Sequence, residues 1–280
     1  MPEKILFLEL FQPFAQYRNP FTFYYAQTYP LPPKSTIIGM LQNACDDWYG
    51  NKNGIENWWK MKVSIHGGFE SIFWNYQNLI KGVPELTNDG IENQGRPLYG
   101  KGITSKRSPT PQQELFNGHL YVLIKGNDSL IDSIKNSIEN LNKVISLGRS
   151  EDIVFIKGIK EVNPLKVENV EGDLKLHYPT YIYYENFPIA NRKYPVYYIP
   201  IKVIFKNNNN NIKHKYEINK NTEREVDFKK IIYTGYDYSI IIEENKKINV
   251  EFYEINDKKI RISSYETEIN NEKMSVGGWL

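Results

Sequence analysis

Residues 4–11 are apolar on both faces apart from Glu9, the pattern of a strand in the middle of a sheet. A turn-rich segment with Pro13, Pro20, Pro30, Pro32 and Pro33 separates it from the first helical pattern. There Ile37, Ile38, Leu41, Ala44, Cys45 and Trp48 fall on one stripe at helical period. Ser35 stands where an N-cap is wanted, and Gly50 where a glycine would stop the helix. Gly39 lies inside the stripe and predicts a close backbone approach, since glycine there costs about 1 kcal/mol relative to alanine. Residues 60–66 alternate, with Met61, Val63 and Ile65 on one side and Lys60, Lys62, Ser64 and His66 on the other. Residues 119–125, HLYVLIK, predict a second such strand. Asp128 or Ser129 can cap a second helix carrying Leu130, Ile131, Ile134, Ile138, Leu141, Val144 and Ile145, with Gly148 as its stop. Residues 153–156 add a short strand.

The order β-α-β-β-α-β predicts an α+β fold, with a ferredoxin-like (RRM-like) domain over residues 1–159. Two helices would cover one face of a four-stranded antiparallel sheet and leave the other face open. Residues 69–118 are far too many for a hairpin turn and read as an inserted, projecting thumb. Beyond residue 160 the helical period disappears. Aromatic and β-branched runs at 194–205, 231–238 and 248–255 predict a β-rich region over 160–280, with the Asn tract at 207–211 as a hairpin tip.

Composition narrows the function classes. Thirty-five Lys and Arg against thirty-three Asp and Glu leave a net charge of +2, so a polyanion site must come from local clustering. Cys45 is the single cysteine, which excludes an internal disulfide and Cys-rich metal modules. His66, His119, His177 and His214 show no metal spacing, and no phosphate-cradling glycine loop appears. Neither a metal nor a cofactor is therefore expected. No apolar run is long enough to span a bilayer and no cleavable leader is evident, so a cytoplasmic protein without membrane contact is expected.

Three constellations carry candidate chemistry. Arg96, Lys101, Lys106 and Arg107 lie in an acid-free, Gly- and Pro-rich stretch that can clamp phosphates, or be a solvated loop. Tyr17 and Arg18 open a segment with Phe21, Phe23, Tyr24 and Tyr25, types that stack on single-stranded RNA or plug a core. Lys34, Ser35 and Thr36 at a helix N-terminus offer N–H groups and a cation to a phosphate. A histidine beside a Tyr and a Lys can activate a ribose hydroxyl without a metal, and His66 and His119 bracket the insertion. The tyrosine content also suits a β-rich carbohydrate-binding or adaptor module.

The segments QPFAQYRNPFT, YPLPPKSTIIGMLQNA and LGRSED resemble the Cas-five family of CRISPR-associated proteins, in the RAMP superfamily, and most the type I-B-like branch. The resemblance spans residues 1–155. It implies an RNA-binding structural subunit of a type I effector complex (Cascade) that caps the 5′ handle of the guide RNA in antiviral defence. The guide RNA, the backbone subunit and the large subunit would be partners, and target DNA an indirect one. It implies RNA contacts by Tyr17, Arg18, Lys34, Ser35, Thr36, the basic thumb residues, Gly148 and Arg149. No catalysis is expected. The alternative is a metal-independent endoribonuclease, which would need His119 or His66 with Tyr24 or Tyr25 and Lys101.

Overall fold

A computed structural model describes residues 3–22, 25–80, 84–87, 90–93, 107–190, 194–207, 210–212, 214, 217–219, 221–235, 238–269 and 272–280. In chain order its first elements are strand β1 (Ile5–Ala15), helix α1 (Lys34–Ala44), a 3-10 turn (Trp48–Gly50) and helix α2 (Ile55–Lys60). Strands β2 (Lys62–Ile80), β3 (Pro84–Thr87), β4 (Gly90–Asn93) and β5 (Arg107–Lys125) follow, then helix α3 (Asp128–Glu139) and β6 (Phe155–Val162). The remainder is β7 (Lys166–Val170), β8 (Asp173–Lys175), β9 (Tyr181–Tyr183), β10 (Val196–Asn207) and β11 (Asn210–Asn211). It closes with β12 (Glu223–Tyr233), β13 (Ser239–Ile241), β14 (Ile248–Ile255), β15 (Lys258–Ile269) and β16 (Glu272–Gly277).

The first sheet has the order β2-β5-β1-β6, antiparallel throughout. Alternation sorts its residues. Leu6, Leu8 and Leu10 of β1, with Leu120, Val122 and Ile124 of β5, share a core with Ile37 and Leu41 of α1 and Ile131 and Ile134 of α3. The opposite face is covered, contrary to expectation. Ile5, Phe7, Tyr121 and Leu123 pack under Tyr253, Ile255, Ile260, Ile262 and Trp279 of the C-terminal strands. Apolar residues on both faces of β1 require a second cover, and β14–β15 provide it. Ser64 and His66, read as a solvent face, are buried for the same reason.

Helix α1 starts two residues earlier than a Ser35 cap would place it. The amides of Thr36 and Ile37 donate to the Pro33 carbonyl at 3.0 and 3.2 Å, and Pro33 in extended backbone is the N-cap. Ser35 lies inside the first turn and caps nothing. Asp46 and Tyr49 adopt positive φ and end the helix before Gly50. Fully buried Asp47 then accepts from the amides of Lys52 and Asn53 at 2.6 and 3.1 Å and from the Trp58 indole at 2.9 Å. Those bonds set the α2 turn, too short for any periodicity to announce. Gly39 makes no close approach: a side chain there would meet open space. Helix α3 is capped by Asn127, which accepts from the Ser129 amide at 3.0 Å, and it stops at Glu139, leaving Val144 exposed.

The C-terminal strands form three sheets, ordered β11-β10-β12-β9, β13-β8 and β16-β15-β14-β7. Asn207 pairs with Asn210, and residues 208–209 of the Asn tract lie outside the described residues. One buried cluster runs from β1 to β16. Its hinge is Tyr181, whose hydroxyl accepts from the Leu31 amide at 3.0 Å and donates to the Leu31 carbonyl at 2.6 Å. Among the described residues no helix is long and apolar enough to cross a membrane.

Candidate nucleic-acid interface

Strands β2 and β5 stay paired to Ile80↔Arg107, and beyond Ala15↔Leu115, where β1 stops pairing with β5, they continue as a two-stranded ribbon. Much of the insertion, expected to project as a thumb, is thus regular ribbon. Pro109 and Pro111 fit because the outer edge of a ribbon needs no N–H from them. Gly67 lies just before the insertion: φ is 111°, and a Cβ would lie 2.1 Å from the His119 carbonyl oxygen. The loop after β1 is fastened to the ribbon. The Ala26 amide donates to Pro111 at 3.1 Å, and the Gln113 amide donates to Ala26 at 2.9 Å. A bridge between Arg18 and Thr28 closes the loop's base.

This fastening assembles an aromatic row. Tyr25, Trp74 and Tyr76 are 60%, 51% and 69% exposed, and Tyr25 meets Trp74 edge-on with ring centroids 6.2 Å apart. Ile72 is exposed on the same strand, and Phe21 and Arg18 are exposed on the loop. Large rings left in water side by side can form a stacking platform for unpaired bases. A second exposed group lies on the sheet. Phe11 contacts His119 at 5.2 Å, while the Lys157 ammonium sits 5.4 Å from the Phe11 ring and 5.9 Å from that of Phe155. Beside it a cavity of about 370 Å³ is lined by Gly68, His119, His177, Tyr178 and Tyr238, among others. Among the described residues no group of three or more His, Cys, Asp or Glu is placed to hold a metal.

Several sequence candidates are structural. Tyr17 is buried, and its hydroxyl donates to Gln12 Oε1 at 2.5 Å; burial, with Asp152 nearby, pushes the phenol well above its usual range. It cannot stack on RNA. Arg149 is held by Asp152 at 2.7 Å and by Glu114 at 2.8 Å. Burial opposes its charge, but these carboxylates outweigh it and raise its pKa. Gly148, with φ 115°, lets the turn close against Asp152 and the Gln16 carbonyl. His66 is buried against Ser64 Oγ at 2.9 Å, and burial lowers its pKa to about 3, which removes it as an acid or base near neutrality. His119 is exposed.

The helix N-terminus splits up. Lys34 is buried in a cleft with Lys60, Lys62 and Lys229. Ser35 faces a different cavity with Trp59 and Phe205, and Thr36 is half-buried. Tyr24, Arg96, Lys101 and Lys106 lie outside the described residues, and Arg107 is described only as the backbone partner of Ile80. The reading from sequence missed Trp74, Tyr76, Phe11, Phe155 and Lys157. For the ribbon the signal was present: Ile72, Trp74 and Tyr76 recur at strand spacing.

A family model described as CRISPR-associated protein (Cas_Cas5) matches residues 5–229. Among solved structures the chain is similar to one from a "CRISPR RNA-guided surveillance complex", at 15% identity over 85% of this chain and 90% of that one, with a TM-score of 0.49. It is similar to a CRISPR protein from Archaeoglobus fulgidus at 12% identity over 92% and 98% of the two chains, with a TM-score of 0.36. A chain of the Type III-B Cmr-beta complex bound to cognate target RNA and AMPPnP matches at 15% identity over 85% and 86%, with a TM-score of 0.37. No curated protein is matched by the sequence.

Proposed function

This chain belongs to the family of CRISPR-associated proteins (Cas_Cas5), and on that premise we propose that it is a non-catalytic RNA-binding subunit of a type I-B-like effector complex. In this reading it caps the 5′ handle of the guide RNA and abuts the backbone and large subunits in the cytoplasm. The fold reading that goes with it is ferredoxin-like, supported by the β2-β5-β1-β6 order. The observation that carries the proposal is the exposed row Tyr25, Trp74 and Tyr76, with Tyr25 edge-on to Trp74. Stacking on aromatic faces holds unpaired bases with little regard to sequence, and each base contributes about 1–3 kcal/mol. Cleavage through His66 has less support, because His66 is buried and neutral.

Fluorescence anisotropy with labelled guide RNA tests the reading. Trp74→Ala with Tyr76→Ala should weaken binding at least tenfold, with the melting temperature within a few degrees of the parent. Unchanged affinity would remove the stacking assignment. Incubation of precursor RNA with the protein in EDTA should give no cut product.

A further inference from the structure

The cleft around Lys34 lies at the other end of β2 from the aromatic row. Lys62 and Trp74 are twelve residues apart on that strand, roughly 40 Å at the usual strand rise. The cleft encloses about 220 Å³. Its basic lining is Lys34, Lys60, Lys62 and Lys229, and its apolar wall includes Tyr183 and Trp279. Among the described residues none of these four lysines forms an ion pair with a carboxylate. The carboxylates nearby have other partners, although Asp227 also acts on Lys34 at a distance. Asp227 lies 3.7 Å from Lys202, Glu185 accepts from the Tyr183 hydroxyl at 2.5 Å, and Glu251 accepts from the Trp279 indole at 3.3 Å.

Lys34 is the telling residue. It is 5% exposed, and its ammonium makes one long hydrogen bond, to the Trp59 carbonyl at 3.4 Å. A buried ammonium with two unused donors is costly unless an anion completes it. Burial, with Lys202 and Lys62 close by, outweighs the pull of Asp227 and lowers its pKa to about 8. An anion entering the cleft would meet four cations, and the Tyr183 and Trp279 rings offer a wall to an attached sugar or base.

We propose that this cleft binds a phosphate group of a nucleotide, at a site separate from the ribbon. Two sources share that chemistry: a free mononucleotide, or a phosphate of an RNA strand. Isothermal titration of the full chain with inorganic phosphate and with adenosine monophosphate tests the first. Titration with a short single-stranded RNA tests the second. The variants are Lys34→Met, and Lys62→Gln with Lys229→Gln, the latter pair replacing residues outside the core. Circular dichroism checks that each is folded.

Saturable binding of phosphate or mononucleotide, lost at least tenfold in the folded Lys62→Gln/Lys229→Gln variant, supports a free-nucleotide site. If the small ligands do not bind but that variant loses RNA affinity at least tenfold, the phosphate comes from RNA. If neither small-ligand nor RNA affinity changes in the folded double variant, the proposal is overturned. Trp74→Ala with Tyr76→Ala should leave mononucleotide binding unchanged, so failure at the ribbon and failure at the cleft are read separately.

Discussion

Asp152 accepts the main-chain N–H of Gln16 at 2.9 Å, and through that bond the turn after α3 is joined to the end of β1. The same carboxylate receives the Arg149 amide at 3.0 Å and its Nε at 3.1 Å, while Gln12 Nε2 donates to the Leu147 and Asp152 carbonyls at 2.6 and 3.1 Å. Two of the three segments that carry the family resemblance, QPFAQYR and LGRSED, are therefore each other's hydrogen-bond partners. Their residues serve the junction that holds the loop and ribbon in place.

Asp152→Ala should lower stability by about 3 kcal/mol, because it strands the Arg149 charge and the buried Gln16 N–H. Urea unfolding measures this. A loss under 1 kcal/mol would show the junction to be incidental.

His66 gives a signature in acid. Its folded pKa is lowered to about 3, well below the ordinary histidine value of 6.5. Between those values the unfolded chain takes up a proton that the folded chain refuses. Stability is thus fully present above pH 6.5 and falls as pH drops towards 3, by up to about 1.4 kcal/mol per pH unit from this group. His66→Gln should flatten that part of the stability profile. An unaltered slope would mean that His66 titrates normally.

Two glycines should respond oppositely. Gly39→Ala adds a methyl to open space in α1 and should stabilise by up to about 1 kcal/mol. Gly67→Ala forces a Cβ against the His119 carbonyl at positive φ and should destabilise by more than that. Thermal melts that shift the same way for both would contradict the placement of these residues.

What was legible in the sequence follows from what periodicity can encode. The β1 and β14 runs, the α1 stripe and the α3 stripe are driven by burial, so their apolar spacing announces them. The cover over Phe7 and Tyr121 was not legible, because it depends on residues 250–262 packing more than a hundred positions away. Ser35 was misread as a cap because its residue type is right, whereas Pro33 supplies the carbonyl that starts the helix. The roles of Tyr17 and Arg149 turned on partners such as Gln12 and Glu114, which composition and spacing do not reveal. Trp74 and Tyr76 were passed over because apolar residues in a strand usually point inward, and here the ribbon has no layer to cover them.

The central claim, that the ribbon's aromatic row holds guide RNA, is tested most directly by ultraviolet crosslinking. The protein is purified with its copurifying RNA, irradiated and digested, and the adducts are mapped by mass spectrometry. Adducts on Tyr25, Trp74 or Tyr76, lost when Trp74 and Tyr76 are both alanine, are the predicted result. Copurification of no RNA, or adducts that avoid all three residues, would contradict it.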